Sequence, residues 1–584
     1  TRPRSGWGKR AGDHVSAVAG LWLVGLLLAA PALRTSDRYT LADRLRDALI
    51  LGVAIPATLG LLAVLYAATC WCLLIAALIV AYLRERARGP SAPTSEAPPY
   101  LIIAVLALLA WPPLMRPPLD GDTLAYHLPN AASWAHAHSL WTTQTRYWWY
   151  PFGSEAFASG IYTTSGAFAV GWAGLLAMAL LAFRIATWCV ERIGTSPLLA
   201  QTIACATIAA WPLAVQAGSL QNDVWLAAFL LELLWAKDRP FESRSSAAIA
   251  ALIKPYGWLL ALLAFPASRA RFIPILGVLG IVLARIVILN PHADITIAQS
   301  SIATAAQQTI LAHGIGALAE LLRVFVNDAP FAALAVLAAL SAPVWSAKDR
   351  WLGAYAWVTV IVFLALPFSY ENQVPQLASG SALRLAIPAI AIGALVLARI
   401  GKRYTPAALV VTLAATIAGV ATMLATYWND APTRSALGVA AIAVGVFALA
   451  GAQRRAWLVP AALACAIGIG AALAAVHPAD YYADSTALGG ARSNVFAWLI
   501  AERPARVATW GLRSGIVNVL SPSTSVYDVS DALACVEAGR DRALLLAFAD
   551  RDSGAIFDGP RRKAAFACGA PLHEDALAVV AQPR

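Results

Sequence analysis

The residues best suited to chemistry in this sequence fall in four short places. The stretch Leu119-Asp120-Gly121-Asp122-Thr123-Leu124-Ala125-Tyr126-His127-Leu128-Pro129 carries two carboxylates and an imidazole, and Glu155 follows beyond Trp134, Trp141, Arg146, Tyr147, Trp148, Trp149 and Tyr150. Gln221-Asn222-Asp223 ends a polar turn that opens at Gln216, Lys254 interrupts an apolar stretch, and Arg384 follows a polar loop with Tyr370, Glu371 and Asn372. An ionised carboxylate can take a proton from a hydroxyl, and Arg or Lys can face a phosphate. Plainer readings stand beside these. A Trp/Tyr belt at a membrane interface explains the aromatics, but not why Asp120, Asp122, His127 and Glu155 gather in one loop. Asn222 or Asp223 would cap the helix that follows, the reading favoured by that segment alone. Arg384 could snorkel to headgroups. Lys254 is harder to dismiss, because an ammonium at membrane depth is usually paired or functional.

The elements that position these residues have lipid as their solvent. Of 584 residues, 60% are apolar and 13% charged, and the mean hydropathy is +0.66. Runs of about 20 apolar residues, enough to cross a bilayer as helices, recur up to Val476. The formal charge of +11 would suggest nucleic acid in a soluble chain. Here the Arg and Lys sit in short clusters between apolar runs, a topological pattern that implies no nucleic-acid partner.

Val15 to Leu33 reads as a retained first span, with the basic residues before it placing the N-terminus in the cytoplasm. Ala48 to Leu83 could be two spans or one long crossing kinked at Pro56. Charge favours one, delivering Arg84, Arg86 and Arg88 to the cytoplasm. Gly89 to Pro99 is then a linker, and Tyr100 to Leu114 exits outward. Further spans are expected near Ala167–Val190, Leu198–Leu213, Val224–Trp235, Phe272–Leu289, Phe331–Trp345, Trp351–Phe368, Leu385–Leu397, Pro406–Tyr427, Leu437–Ala450 and Ala456–Ala475. The total is about 13 crossings. Ala247 to Pro266, with Lys254-Pro255 at its centre, reads as two half-helices or a re-entrant element.

The expected fold is therefore an all-α polytopic membrane protein with a small C-terminal periplasmic α/β domain. Residues 1–99 form added helices and a linker, 100–476 a catalytic membrane region with outer loop 115–164, and 477–584 the outer domain. In that domain Arg506–Trp510, Ser525–Val529 and Ala543–Phe548 alternate with helix-like segments. Cys535 and Cys568 also lie there, and an oxidising periplasm permits them to pair, although sequence separation does not report their distance.

At Asp122-x-Leu-x-Tyr126-His127-Leu128-Pro129, Tyr150-Pro151-x-Gly153-x-Glu155, Gln221-Asn222-Asp223, Lys254-Pro255-Tyr256 and Arg384-Leu-x-x-Pro388, in that order, the chain resembles the GT-C superfamily of membrane glycosyltransferases. The resemblance covers roughly Tyr100 to Leu397, with Tyr256 where Thr is common. It implies a polyprenyl-phosphate sugar donor, a glycolipid or glycan acceptor, a bilayer setting and an inverting displacement on the periplasmic face of a bacterial inner membrane. Asp122 is then the expected base, with Asp120 its competitor. Arg384 and Lys254, with Arg146 and His127 as further candidates, would face the leaving phosphate, and Asp223 would orient hydroxyls. Tyr126, Glu155, Gln221 and Asn222 complete the expected substrate site. No cofactor is expected. Relatives that transfer oligosaccharides use a divalent cation, which leaves one bridging Asp122 and Asp223 open, but Asp, Asp and Glu on separate loops do not define a metal site by spacing.

An oligosaccharyltransferase or polymer ligase of the same fold is an alternative that sequence does not separate. A secondary transporter is another. It is disfavoured by the lack of an inverted repeat and by charges expected at the outer surface rather than the midplane.

Overall fold

The computed structural model of the protein describes residues 7–35, 39–88, 99–114, 122–145, 147–166, 170–236, 238–264, 272–293, 309–310, 314–345, 350–366, 381–426, 494–510, 514–529, 538 and parts of 543–583. Asp120, Arg146, Cys535 and the two expected spans between Leu437 and Ala475 lie outside the described residues.

Helices α1 (Trp7–Ala29), α2 (Leu41–Leu61), α3 (Ala67–Arg88) and α4 (Tyr100–Leu114) come first. A π-turn, Thr123–His127, runs directly into α5 (Leu128–Ala137), and α6 (Gly153–Ser165) follows. The bundle continues with α7 (Trp172–Trp188), α8 (Pro197–Ala209), the short α9 (Trp211–Ala214), α10 (Asp223–Trp235), α11 (Pro240–Ile253), α12 (Gly257–Leu263) and α13 (Phe272–Leu289). After these come α14 (Gly314–Asp328), α15 (Pro330–Trp345), α16 (Arg350–Ala365), α17 (Ile387–Arg403) and α18 (Thr405–Thr426). Among the described residues, five helices are long and apolar enough to cross a membrane, by length and composition, with shorter apolar ones beside them.

Ala48 to Leu83 is not the expected single crossing. It is a hairpin, α2 and α3, turned at Leu62–Tyr66 with Ala63 at φ 56°. The turn is tied to the loop after α5, where Leu65 N donates to His138 O at 3.0 Å and Leu140 N to Gly60 O at 2.9 Å. Helix α1 runs parallel to α3, Trp22 meeting Trp71 edge-on at 5.3 Å between ring centroids and Gly25 facing Leu74. The start of α1 therefore lies at the same end of the bundle as the start of α3 and the loop after α5. The Arg84–Arg88 cluster fixes where α3 ends, and that constraint is met equally by one crossing or by three helices.

Helix starts follow local chemistry. Thr40 and Asp43 form a reciprocal capping box at α2, and Ser196 with Pro197 opens α8. Pro255 stops α11. After the Lys254–Tyr256 break Gly257 folds back onto Ala250 O, so α11 and α12 make the expected pair of half-helices.

The C-terminal region holds α19 (Asn494–Glu502), α20 (Gly515–Leu520) and strands β1 (Arg506–Trp510), β2 (Ser525–Asp528), β3 (Leu544–Phe548), β4 (Gly569–Glu574) and β5 (Ala578–Pro583). The sheet order is β2-β1-β3-β5-β4, with β1 parallel to β2 and β3, and β5 antiparallel to β3 and β4. All three expected strands are present. Cys568 is disulfide-bonded.

Candidate active site

Asp122 immediately precedes the π-turn, a helical irregularity with one residue more per turn than an α-helix and often found at functional sites. Leu220 N donates to Thr123 Oγ1 at 2.9 Å, joining the π-turn to the turn that leads into α10. That second turn lies against the start of α7, where Gly171 and Gly174 leave no room for a Cβ beneath the carbonyls of Gly218, Gln216 and Ser219. Two loops far apart in sequence are thereby locked side by side.

Asn222 occupies the N-cap position of α10, but its side chain makes no capping bond. Its Nδ2 donates instead to Ile253 O at 3.0 Å, tying α10 to the end of α11. Gln216 Oε1 accepts from Val224 N at 3.2 Å and does the capping work expected of Asn222 or Asp223. Asp223 is freed to accept from Lys254 Nζ at 2.5 Å, from Tyr256 OH at 3.4 Å and from Gln216 Nε2 at 3.4 Å. The capping reading is thus replaced by an ion pair across the α11–α12 break.

Arg384 does not snorkel. It pairs with Asp122 through Nη1, bringing the segment before α17 onto the first outer loop. Burial opposes ionisation of Asp122, but the charges of Arg384, His127 and Lys254 outweigh it and hold the carboxyl below the usual carboxylate range. His127 Nδ1–H donates to Glu155 Oε1 at 2.6 Å, and Ser154 Oγ donates to Glu155 Oε2 at 2.9 Å. Glu155 is 1% exposed with both oxygens engaged, so it orients the imidazole. The Tyr126 ring lies 4.1 Å from that imidazole and 5.6 Å from Tyr150, edge-on. Burial first, then the Asp122 charge, pushes the Tyr126 hydroxyl well above its ordinary value and keeps it a neutral donor.

Among the described residues, the buried Arg384 Nε, Gln221 Oε1 and Asn222 Oδ1 have no hydrogen-bond partner. They are one donor and two acceptors. Beside Lys254, an apolar cleft of about 170 Å³ is lined by Trp149, Pro151, Pro255, Trp258, Val282 and Ile286. Trp148, by contrast, is fully buried against Leu289 and belongs to the packing of the loop.

No family model matches the chain, and no curated protein does. Among solved structures it is similar to ArnT from Cupriavidus metallidurans bound to undecaprenyl phosphate, at 14% identity over 82% of this chain and 97% of that one, with a TM-score of 0.48. The apo state of the same protein is similar at 14% identity and equal coverage, with a TM-score of 0.46.

Asp122 and Asp223 face a guanidinium and an ammonium, and among the described residues no group of three or more His, Cys, Asp or Glu side chains is gathered. The structure brings Asp122, Tyr126, His127, Glu155, Asn222, Asp223, Lys254 and Arg384 together, with Gln221 beside Asn222. It adds Gln216, whose side chain bonds both Val224 N and Asp223, a contact that the sequence did not announce.

Proposed function

We propose that the protein is an inverting membrane glycosyltransferase of the GT-C type, moving a sugar from a polyprenyl-phosphate donor to a glycolipid or glycan on the periplasmic face of a bacterial inner membrane. The observation that carries this reading is the pairing of two carboxylates with Arg384 and Lys254 in one pocket, next to an apolar cleft. Such a site suits an amphipathic ligand with an anionic head and a long apolar tail.

The donor phosphate takes over Arg384, the better bidentate partner, with Lys254 adding a point charge. Losing its strongest opposing cation leaves burial to raise the basicity of Asp122. Asp122 then accepts the proton of the acceptor hydroxyl as that oxygen bonds to the anomeric carbon. The bond from the anomeric carbon to the phosphate oxygen breaks, its electron pair staying on the phosphate. The growing negative charge faces Arg384 and Lys254, which bind it more strongly in the transition state than in the ground state. Gln221, Asn222 and Tyr126 supply acceptors and a donor for sugar hydroxyls.

The test is release of polyprenyl phosphate by purified protein given polyprenyl-phosphate sugars and membrane glycolipids. Release by the wild type and not by Asp122→Asn is expected. Equal release by both moves the base to Asp120 or Asp223, and no release from any donor by folded protein returns the transporter reading to first place.

A further inference from the structure

Among the described residues, the C-terminal domain meets the membrane region on the π-turn that follows Asp122, on α5 and α6, and on the loop between them. Gly515, the first residue of α20, sits directly on the π-turn. A Cβ there would lie 2.8 Å from both Cα and O of Leu124, closer than real Cβ atoms come, and the obstacle is backbone with no flexible end to yield. Pro522 O accepts from His136 Nε2 at 2.7 Å and from Tyr162 OH at 2.9 Å, binding the domain to α5 and α6. Asp528 N donates to Gln144 O at 2.7 Å in the loop between those helices. The π-turn is thus held from one side by the Leu220 bond to Thr123 and from the other by α20.

This matters because of what a π-turn does. It holds one residue more than the α-helical path, and each residue turns a helix by about 100°. Relaxing the turn to α-helix would rotate Asp122 away from Arg384. A domain pressed onto Leu124 opposes that relaxation, and only a glycine permits such close contact.

We propose that the C-terminal domain is a positioning part of the active site, with Gly515 as the residue that holds the π-turn and so aims Asp122. The proposal rests on the reading of Asp122 as the base, and its test has one readout in common with that reading and one apart from it. In the full chain, Gly515→Val is compared with wild type for kcat and KM toward a polyprenyl-phosphate sugar. It is also compared for cross-linking between Asp122→Cys and Arg384→Cys by a short bifunctional thiol reagent.

The expected result is a kcat reduced by about 10²-fold, the cost of a misplaced reacting group, with KM for the donor within about twofold. Cross-linking yield falls in parallel. Should Gly515→Val fail to fold, Tyr162→Phe, which removes one anchor to Pro522, is expected to lower kcat and cross-linking in the same pattern to a smaller extent. Unchanged kcat and cross-linking in the folded variants overturn the positioning role, as does a change in KM alone. If wild type turns over no donor, the glycosyltransferase reading fails, and cross-linking alone still decides whether Gly515 sets the position of Asp122.

Discussion

Two clusters of charge lie along the same helix, and they differ in what they leave open. Helix α10 begins at Asp223 in the candidate active site and carries Glu232 about 13 Å further along its axis. At Glu232 the charges close on one another. Arg184 reaches Glu232 at 2.5 Å and Asp43 at 2.7 Å, while Arg46 lies between Asp43 at 3.2 Å and Asp47 at 2.8 Å. All five side chains are 0–2% exposed, and the Arg184 guanidinium also rests 4.8 Å from the centre of the Trp235 ring. At the other end Asp122, Arg384 and Lys254 are 28%, 19% and 13% exposed. Paired charges sealed in the bundle hold α2, α7 and α10 in register. Paired charges left partly open can be reached by a ligand, as the proposed function requires.

Breaking each cluster should therefore produce a different failure. The largest expected effect is at the open end. Asp122→Asn lowers transfer by about 10²–10⁴-fold, with the thermal midpoint little changed. A parallel loss of folding would merge the two clusters into one structural role. At the closed end, Arg184→Ala leaves three buried carboxylates, Asp43, Asp47 and Glu232, around the one buried arginine that remains, Arg46, and a loss of about 3–5 kcal/mol in stability is expected from denaturant or thermal unfolding. A variant as stable as wild type would show that the network is not what holds these helices.

The pH dependence sharpens the contrast. The folded pKa of Asp122 is depressed, so the stabilisation from its ion pair is present above the unfolded value and is lost as pH falls through the folded one. The acid limb of kcat/KM should accordingly lie below the ordinary carboxylate range in the free enzyme, and Arg384→Ala should move it upward. A limb indifferent to Arg384 would remove the ion pair from the account. The smallest effect is expected at Thr40→Ala, which deletes the capping box of α2 at a cost of about 1 kcal/mol and leaves kcat unchanged.

Much of this arrangement was legible from residue types alone, and the failures have physical causes. Lys254-Pro255 announced the α11–α12 break because proline removes a donor and clashes with the preceding turn. The α2–α3 hairpin was hidden because Leu62–Tyr66 contains no glycine or proline, the positive φ being taken by Ala63. Asn222 looked like a cap because its type and position are right for one, and only the fold reveals that Gln216 reaches Val224 first. Arg184 and Glu232 were visible as opposite charges in two apolar runs, a signal for pairing that needed the depth of both helices to be read together. The contact of Gly515 on Leu124 spans almost 400 residues and has no sequence signature.

The most direct test of the central claim is saturable binding of polyprenyl phosphate to the purified protein, with polyprenol lacking the phosphate as competitor. The account predicts binding that polyprenol displaces poorly, that Arg384→Ala weakens by about tenfold or more, the worth of a charged hydrogen bond, and that Thr40→Ala leaves alone. Equal binding by wild type and Arg384→Ala, or displacement by polyprenol as effective as by the phosphate, would contradict it.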